Sequence, residues 1–381
     1  MNTPRTILRC LTAAALAVLA IPVKAQQTTN DLPPGWIGLP KTETRFKIGG
    51  YVKLDLIHDF KPIGSPDFFD VSKIPTDDSK GQSSHLNAKE TRLFLDVRTP
   101  STVGEIKTYV EGDFYGSGGG FRLRHAFLEI DDTWLAGQYW SNFMDEDIIP
   151  ATLDFEKPAA YAFIRHPQIR WKHPLGTDAY LALALEEPSA SAQTPTVPGT
   201  LESPLPDLTA RYRVTRSWGH VQVSGFAGLI RFRPEEGDND DEPLFGANLS
   251  GQFKLLEKDR LGYQVIYGPG IARYRGGLSA GLDAEGDQLD PLTGIGFTGS
   301  YLHYWSPVLS SNLVFNYGHD NNTDGQPGTA IYSASYFALN LVWYFTHNAF
   351  AGVEYLHGVR ADKNDADGSA DRLQFSVKYA F

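Results

Sequence analysis

The sequence predicts an all-β fold: a transmembrane, antiparallel, up-and-down β-barrel of about sixteen strands, with short periplasmic turns and long extracellular loops. Three observations predict it. The last nine residues alternate strictly between apolar and polar, the N-terminus reads as a secretory signal, and the connections alternate between short and long. A soluble sandwich gives no reason for the last feature, whereas an outer-membrane barrel has it on its two rims.

The final segment, Leu373 to Phe381, places apolar or aromatic residues at every odd position. Period two puts them on one face of a strand. An open strand with such a face invites aggregation, whereas a closed barrel pairs its edge and turns the apolar face to lipid. We therefore expect Phe381 to end the closing strand and to be read by the barrel-assembly machinery.

The N-terminus carries a short basic region, Arg5 and Arg9, followed by an apolar stretch and small residues before a cleavage position after Ala25. This pattern is typical of a secretory signal peptide, and it is too short to span a membrane. Cys10 lies inside it, so we expect no disulfide in the mature chain. The predicted organisation is a signal peptide at 1–25, a short periplasmic segment at 26–44, and a barrel at 45–381.

Charge restricts the choice of partners. Removing the signal's three basic residues leaves 31 of the 34 against 45 acidic ones, a formal charge of −14. Such a surface repels nucleic acid, so no nucleic-acid partner is expected. Composition alone, with 18 Tyr, 22 Phe and 37 Gly, suits a large soluble β protein almost as well as a barrel.

Alternating segments supply the strand count. The sequence predicts strands near 45–59, 86–98, 104–115, 121–131, 133–141, 166–172, 179–186, 206–215, 218–232, 244–255, 260–274, 293–305, 309–319, 332–345, 349–361 and 370–381. In 207–214, Leu208 and Tyr212 oppose Arg211 and Arg213, and the apolar set must face lipid because arginine at mid-bilayer costs about 2–4 kcal/mol. Aromatics near the short turns predict a girdle: Trp134, Trp171, Trp218, Tyr304, Trp305, Trp343, Tyr344, Phe345, Tyr379 and Phe381.

A barrel of this size encloses an aqueous channel, so its selectivity depends on the lumen lining. In the predicted register one wall carries a basic ladder on alternate strands, whereas the opposite wall is poorer in arginine. A guanidinium matches a carboxylate in two parallel hydrogen bonds, which favours an anion path. The alternative is that the ladder only stiffens the barrel by pairing with lumenal acids. The candidate pore-lining residues are Arg92, Arg122, Arg124, Arg170, Lys172, Arg211 and Arg213.

The connection 142–165 mixes acids with apolar residues that a purely solvated loop would not need. We expect it to fold into the barrel, pack on the wall and form the constriction, with its acids facing the basic wall. The alternatives are that these acids bind cations associated with lipopolysaccharide or simply face water. The candidate constriction residues are Asp145, Glu146, Asp147, Asp154 and Glu156.

Other motifs provide little evidence of function. The run Asp320 to Gly325 fits the start of a calcium loop, but its twelfth position is Ile331 rather than Glu, so turn chemistry is favoured. The ten histidines show no paired metal-ligand spacing, so no metal and no cofactor are expected. A barrel enzyme acting on lipid would need Ser, His and a polar partner at one depth on the outer wall, and no such set is evident.

Several runs resemble the DcaP-like trimeric outer-membrane porin family. They are Gly49 to Asp55, Gly104 to Phe114, Leu123 to Ala126, Gly137-Gln138 with Trp140 to Phe143, and Pro167 to Arg170. The resemblance spans about residue 45 to the end and implies a bacterial outer-membrane homotrimer that takes up small anions, dicarboxylates in particular. It also implies that Arg92, Arg124 and Arg170 face substrate. The chain departs from the family in one respect. Family members carry a longer helical N-terminal extension, whereas 26–44 is short and rich in proline, which argues against a periplasmic coiled coil.

The favoured function is therefore passive diffusion of small anionic solutes through an arginine-lined lumen, and no enzymatic activity is expected. A sugar- or cation-preferring porin of the same architecture is the rival hypothesis. The expected surroundings are outer-membrane lipid and lipopolysaccharide.

Overall fold

The computed structural model describes residues 32–189, 191–193, 198–276, 284–285 and 289–381. The predicted signal peptide, 1–25, lies outside the described residues. Within them, no helix is both long and apolar enough to cross a membrane.

Sixteen antiparallel strands form one sheet that closes on itself, because β16 pairs with β1 from Tyr51 opposite Ala380 to Asp59 opposite Arg372. The prediction of an up-and-down barrel of about sixteen strands is confirmed. The strands are β1 Arg45–Asp59, β2 Arg92–Ser101, β3 Gly104–Asp113, β4 Arg122–Ile130, β5 Trp134–Trp140, β6 Arg165–Pro174, β7 Ala179–Glu186, β8 Asp207–Arg216, β9 Gly219–Pro234, β10 Asp240–Leu255, β11 Asp259–Pro269, β12 Thr293–Ser306, β13 Leu309–Asp320, β14 Ile331–Thr346, β15 Ala349–Asp362 and β16 Asp367–Ala380.

Shorter elements complete the described part of the chain. Ser83–Asn87 continues β2 along the upper half of β1, opposite Asp55–Asp59. The other short strands are Ile37–Gly38, Ala192–Gln193, Gly199–Glu202, Ala284–Glu285 and Asp290–Pro291, and the 3₁₀ turns are Val71–Lys73, Ser117–Gly119, Glu146–Ile148 and Ile271–Tyr274.

Strand boundaries differ from the prediction at several places. The strands predicted at 244–255 and 370–381 begin earlier, at Asp240 and Asp367. The strand predicted at 260–274 ends at Pro269, because Gly270 adopts a left-handed conformation with φ of +79° and the chain turns into a 3₁₀ turn. The strand predicted at 86–98 begins at Ser83 and is interrupted between Asn87 and Arg92. The alternation in the sequence does not reveal either break, because apolar residues continue past Pro269 and polar residues continue between Asn87 and Arg92.

The two rims differ as expected. Seven connections of two to four residues lie on one rim. The other rim carries every long connection and also two short ones, 235–239 and 363–366. The turn between β4 and β5 shows how the tight ones form: Asp131 and Asp132 have φ of +50° and +52°. Two successive positive φ values are the signature of the type I′ turn that joins antiparallel strands.

Side chains alternate between the outer face and the lumen. On β13, Leu313 and Phe315 are exposed on the outside, while Asn312, Val314 and Asn316 are buried inside. Most of the predicted aromatic girdle follows the same rule, and Trp134, Trp305, Trp343 and Tyr379 are exposed beside the short turns. Tyr344 was wrongly placed in the girdle, because it lines a cavity in the lumen with Lys53 and Lys378. The apolar half of each strand therefore faces outward, as a bilayer requires.

Three long loops have described residues that fold into the barrel: L1 (60–82), L3 (141–164) and L6 (270–292, described at 270–276, 284–285 and 289–292). Phe69, Val71 and Ile74 of L1 are buried with Ala159 and Ala160 of L3 against the inner faces of β13 to β16. Phe143 and Ala162 of L3 are buried with Ile271 and Tyr274 of L6 against β9 to β11. The sequence predicts an inward turn only for the loop at 142–165, yet L1 carries the same apolar signal at Phe68, Phe69, Val71 and Ile74.

The segment before β1 folds back on the short-turn rim. Ile37 pairs with Phe46, and the Trp36 ring lies 5.5 Å from the Arg45 guanidinium and 5.1 Å from that of Arg98. Glu105 pairs with both arginines. The described part of the predicted N-terminal segment, from residue 32, therefore lies across one side of this mouth of the barrel.

Candidate functional site: the lumen and its constriction

Loop L3 begins at a buried carboxylate on the wall. Glu186, at the end of β7, accepts hydrogen bonds from the Asn142 backbone at 2.6 Å, the Ser141 hydroxyl at 2.7 Å and the Thr209 hydroxyl at 3.0 Å. Arg211 donates to the Asn142 side-chain oxygen at 3.0 Å. These contacts turn the chain inward immediately after β5.

The middle of L3 is held by Asp145. Its carboxylate lies 3.4 Å from Arg213, 2.8 Å from the His220 ring and 3.0 Å from the Ser250 hydroxyl. Burial opposes ionisation, but the hydrogen bond and charge of His220, the charge of Arg213 and the Ser250 hydrogen bond together hold the pKa of Asp145 below its ordinary value. Asp145 is therefore a charged anchor between L3 and strands β8 to β10.

Asp145, Asp147 and His220 also place three potential ligand atoms within 4.8 Å of one another. Arg213, however, pairs with both carboxylates, so its guanidinium already occupies the position of a cation. The geometry therefore favours an internal ion-pair cluster over a metal site, in line with the histidine spacing in the sequence.

The tip of L3 is attached to the opposite wall. Glu354 of β15 accepts hydrogen bonds from the backbones of Leu153 and Asp154, both at 2.8 Å. Arg372 of β16 is completely buried and reaches Asp154 at 3.1 Å and Asp59 of β1 at 2.7 Å. L3 thus crosses the lumen from β7 to β16 and is fixed at both ends.

The remaining loop acids are less constrained. Glu146 accepts a hydrogen bond from Tyr139 at 2.7 Å. The Glu156 carboxylate forms no ion pair with any described residue, and its burial, together with the charges of Asp70 and Asp154, raises its pKa to about 7. Of the five predicted constriction acids, Asp145, Asp147 and Asp154 therefore bind arginine, whereas Glu146 and Glu156 do not.

Part of the basic ladder is neutralised. Arg124 is buried and pairs with Glu111 and Asp113, both at 2.9 Å. Arg211 and Arg213 hold L3, as described above. Lys172 lies 2.5 Å from Asp132, a largely exposed acid on a turn, and such a pair contributes little.

Three ladder members keep a free side. Arg122 pairs with Asp113 at 2.7 Å but remains more than a third exposed, and Arg92 lies 3.4 Å from Glu111 with its guanidinium over the Tyr51 ring. Arg170 stacks over Tyr139 at 5.2 Å and forms no hydrogen bond or ion pair with a described residue. It faces a cavity of about 240 Å³ that Lys107, Lys172, Tyr139 and Tyr180 also line.

Two inward cations escaped the sequence analysis. Arg165 begins β6, stacks on Trp140 at 4.5 Å, and has Arg124, Arg122 and Arg92 as charged neighbours. Lys378 of β16 lies 4.4 Å from the Tyr51 ring and borders a second cavity of about 380 Å³. Lys378 was recognisable from alternation in the last strand. Arg165 was not, because strand alternation alone would turn it outward.

Aromatic rings from three loops meet these guanidiniums. Phe155 of L3 lies 4.2 Å from Tyr115 of L2 (114–121) and 6.1 Å from Phe68 of L1. Arg122 stacks on Phe155 at 5.4 Å, and Arg124 does so at 5.7 Å. The part of the lumen beside Phe155 is therefore bordered by arginines on the wall and by aromatic rings on the loops, so planar groups lie on both sides of it.

The calcium-like loop between β13 and β14 has an internal occupant. The Lys363 ammonium donates to the backbone carbonyls of Thr323 at 2.6 Å, Asp324 at 3.0 Å and Gln326 at 2.9 Å. Carbonyl oxygens that would be available to a calcium ion are thus directed at a lysine. This arrangement supports the interpretation of the motif as turn chemistry.

The outer wall places a serine against a histidine. The His58 Nδ1 atom lies 2.7 Å from the Ser84 hydroxyl near the long-loop rim. The sequence does not indicate this pair, because residues 60–85 are predicted as a loop, whereas Ser83–Asn87 pairs with β1. No described carboxylate or amide bonds to the same ring, whereas a lipid hydrolase would need a third group to orient it.

Comparisons with known proteins agree with this geometry. The sequence profile of the DcaP outer membrane protein family matches residues 25–381. The crystal structure of the outer membrane channel DcaP of Acinetobacter baumannii superposes with a TM-score of 0.80 at 23% identity, covering 89% of this chain and 97% of that one. A search of curated protein sequences finds no match.

Two more distant structures share the fold. Vibrio cholerae OmpT in a trimer form has a TM-score of 0.56 at 10% identity, covering 89% of this chain and 99% of that one. Salmonella typhi OmpF in complex with daunomycin has a TM-score of 0.54 at 8% identity, covering 89% and 98%. At these identities the structural matches bear on the architecture alone.

Proposed function

The chain belongs to the DcaP outer membrane protein family and is an outer-membrane channel, and we propose that it passes small anionic solutes, dicarboxylates in particular, by passive diffusion. Anion preference and the dicarboxylate class are the parts that need testing. The rival hypothesis is a sugar- or cation-preferring channel of the same architecture.

One observation carries the proposal: four guanidiniums lie together on the wall beside L3, and two carboxylates pair with only three of them. Arg92, Arg122, Arg124 and Arg165 lie together, and Glu111 and Asp113 are their paired acids. The surplus of positive charge lies where the wall meets L3. A narrow, partly desolvated passage amplifies such a surplus, so anions should enter it more readily than cations.

A second group of cations extends this path. Arg170 and Lys172 lie further along β6 toward the short-turn rim. Lys107 lines the same cavity, together with the acids Glu129, Asp132 and Glu146, and of these three cations Arg170 is the one that forms no ion pair with a described residue. Five residues of extended strand separate Arg165 from Arg170, about 16 Å along the strand. An anion leaving the narrow zone would therefore meet another guanidinium before it reaches the periplasm.

The test is a reversal potential across a planar bilayer under a potassium chloride gradient. We expect the wild-type channel to prefer chloride, and the double variant Arg122→Gln, Arg170→Gln to lower the chloride-to-potassium permeability ratio by about fivefold. Two unit charges removed from the passage change the energy of a passing ion by roughly 1 kcal/mol. Arg233→Gln, which removes an exposed arginine paired with Glu202, is the matched control and should leave the ratio unchanged.

The rival hypotheses predict different outcomes of the same recording. A cation-preferring wild-type channel rejects the proposed anion path while leaving the barrel intact. A channel with no ionic preference whose current is blocked by sugars, but not by succinate, favours the sugar porin.

We also propose that three copies assemble through the wall formed by β3 to β7. These strands have 7–10 residues, whereas β9 to β16 have 11–16. The seven residues of β5 extend about 23 Å at most, less when tilted, and fall short of the roughly 25 Å apolar band of an outer-membrane barrel. Contact with a second copy would cover this short wall, and a closed ring of such contacts fits a trimer.

Ile169→Arg on the outer face of β6 should separate the trimer into monomers, because it places a charge in the proposed subunit contact. Ile295→Arg on β12 places the same charge on the tall wall and should leave the trimer intact; both isoleucines are exposed on the isolated barrel. Native mass spectrometry of the detergent-solubilised protein measures the outcome. A trimer that survives the first change but not the second would place the contact on the opposite wall.

A further inference from the structure

A cavity of about 600 Å³ lies at the long-loop rim, where the two ends of L1 meet the start of β16. None of its lining residues belongs to the basic ladder or to L3, so the cavity is separate from the candidate site described above. Six side chains give it its chemistry: Phe60, Lys61, Asp78, Lys80, Asp367 and Ser369.

These side chains lie on the membrane side of the barrel wall. Phe375 is exposed on the outer face of β16, and period two places Asp371 and Ser369 on the same face, nearer the rim. The Lys61 ammonium donates to the Ser369 hydroxyl at 2.8 Å, and the Phe60 ring is 42% exposed. The cavity therefore belongs to the outer face of the rim and not to the lumen.

The cavity lies just above the apolar band of the wall. On β1 the outward apolar residues end at Leu56, and the next outward residue, His58, bonds to Ser84 at 2.7 Å. On β16 the outward Asp371 lies 2.8 Å from the His357 ring. These hydrogen-bonding side chains separate the apolar band from the cavity, which places the cavity at the level of the lipid headgroups of the outer leaflet.

The two lysines at the cavity have charge to spare. Lys61 and Lys80 form no ion pair with a described residue, whereas Arg231, at the same rim, pairs with Asp241. Asp371 is a charged neighbour of Lys61, but its hydrogen bonds go to other residues. A lysine ammonium binds phosphate as a point charge, so the pair of lysines suits a phosphate group at this level.

The acids of the cavity restrict the kind of phosphate. Asp78 and Asp367 would repel a bare anion, whereas carboxylate oxygens are ligands that Mg²⁺ prefers. The phosphates of lipopolysaccharide in the outer leaflet are bridged by divalent cations. A cavity that carries both signs therefore fits a phosphate accompanied by its cation, and the exposed face of Phe60 offers an apolar surface to the attached sugar ring.

We propose that this cavity binds a phosphorylated sugar of lipopolysaccharide, with Lys61 and Lys80 contacting the phosphate and Phe60 packing on the sugar. Asp78 and Asp367 face the bridging cation. The inference is independent of the proposed anion path, because this lipid stays on the outer face of the barrel. Since both ends of L1 and the start of β16 line the cavity, the bound lipid would brace the seam where β16 closes on β1.

Native mass spectrometry of the detergent-solubilised protein, titrated with diphosphoryl lipid A in the presence of Mg²⁺, tests the site. The double variant Lys61→Gln, Lys80→Gln should bind this lipid at least about tenfold more weakly, because two charge-assisted contacts are lost. The double variant Arg231→Gln, Arg233→Gln removes two cations from the same rim and is the matched control, which should bind like wild type. Phe60→Ala keeps both lysines and should also weaken binding.

Each outcome of the titration supports or overturns the proposal. Lipid A binding by the lysine double variant within twofold of wild type overturns the site. Equally tight binding of phosphatidylethanolamine overturns the assignment to lipopolysaccharide, and displacement of lipid A by millimolar inorganic phosphate overturns the assignment to a lipid.

The reversal potential keeps this inference distinguishable from the proposed function. The lysine double variant should have the reversal potential of wild type, because neither lysine lines the passage. If that variant fails to assemble, Phe60→Ala provides the second test, and unchanged lipid A binding in it overturns the packing of the sugar on Phe60.

Discussion

Replacing Arg372 with glutamine is expected to release L1 and L3 from the wall and to raise the single-channel conductance. Arg372 donates to Asp59 of β1, Asp154 of L3 and the Ser65 carbonyl of L1, and it is completely buried. Removing one partner of a buried ion pair leaves uncompensated charges and typically costs about 3–5 kcal/mol. The lost stability is that of the contacts by which L1 and L3 are held to the closing strand, β16.

The expected change is measured by single-channel recording and by thermal unfolding in detergent. Arg372→Gln should lower the unfolding temperature and produce larger, flickering currents. Arg231→Gln is the control, because Arg231 of β9 pairs with Asp241 of the adjacent strand β10 rather than with an inward loop. Adding Asp59→Asn to Arg372→Gln should restore part of the lost stability. Unchanged conductance and stability in the single variant would show that the loops are held by packing alone.

Raising the pH from about 6 to about 8 is expected to weaken the anion preference through Glu156. Burial, Asp70 and Asp154 raise the pKa of this loop carboxyl to about 7 from an ordinary value of 4.5. Glu156 is therefore mostly neutral at the lower pH and mostly charged at the higher one. The ionised Glu156 places a negative charge beside the passage, where it offsets the positive charge of the guanidiniums on the wall.

The same shift has a consequence for the loop itself. Glu156 binds its proton more tightly when L3 is folded inward than when the loop is solvated. Protonation of Glu156 therefore stabilises the inward position of L3, and this stabilisation is complete below about pH 4.5 and is lost as the pH rises through about 7. Glu156→Gln should make the reversal potential independent of pH over this range and hold it near the low-pH value. Glu235→Gln, at an exposed loop tip, should behave like wild type. A pH dependence that persists in Glu156→Gln would assign the titration to another group.

The barrel could be predicted from the sequence because its signals are local. Alternation such as Leu208 and Tyr212 against Arg211 and Arg213 follows from period two and the solvent on each side. Turn pairs such as Asp131-Asp132 also act within a few residues. Neither depends on where distant parts of the chain lie.

The division of the ladder into paired and free arginines could not be predicted in this way. Arg124 and Arg170 look equivalent in sequence, yet the first is neutralised by Glu111 and Asp113 of the adjacent strand β3, whereas the second stacks on Tyr139 and has no ion pair among the described residues. The role of Arg372 depends on Asp59, 313 positions away in the chain. Such pairings are set by the register of closure and by the path of L3, which alternation does not encode.

The pairing of the first strand with the last has a consequence for the order in which the barrel forms. The backbones of Gly50 and Phe381 exchange two hydrogen bonds, of 3.0 and 3.2 Å, across nearly the whole described chain. Contacts with this sequence separation are entropically expensive and form late. One edge of β1 therefore remains unpaired until every other strand has formed, and throughout that interval it must be protected from pairing with strands of other chains.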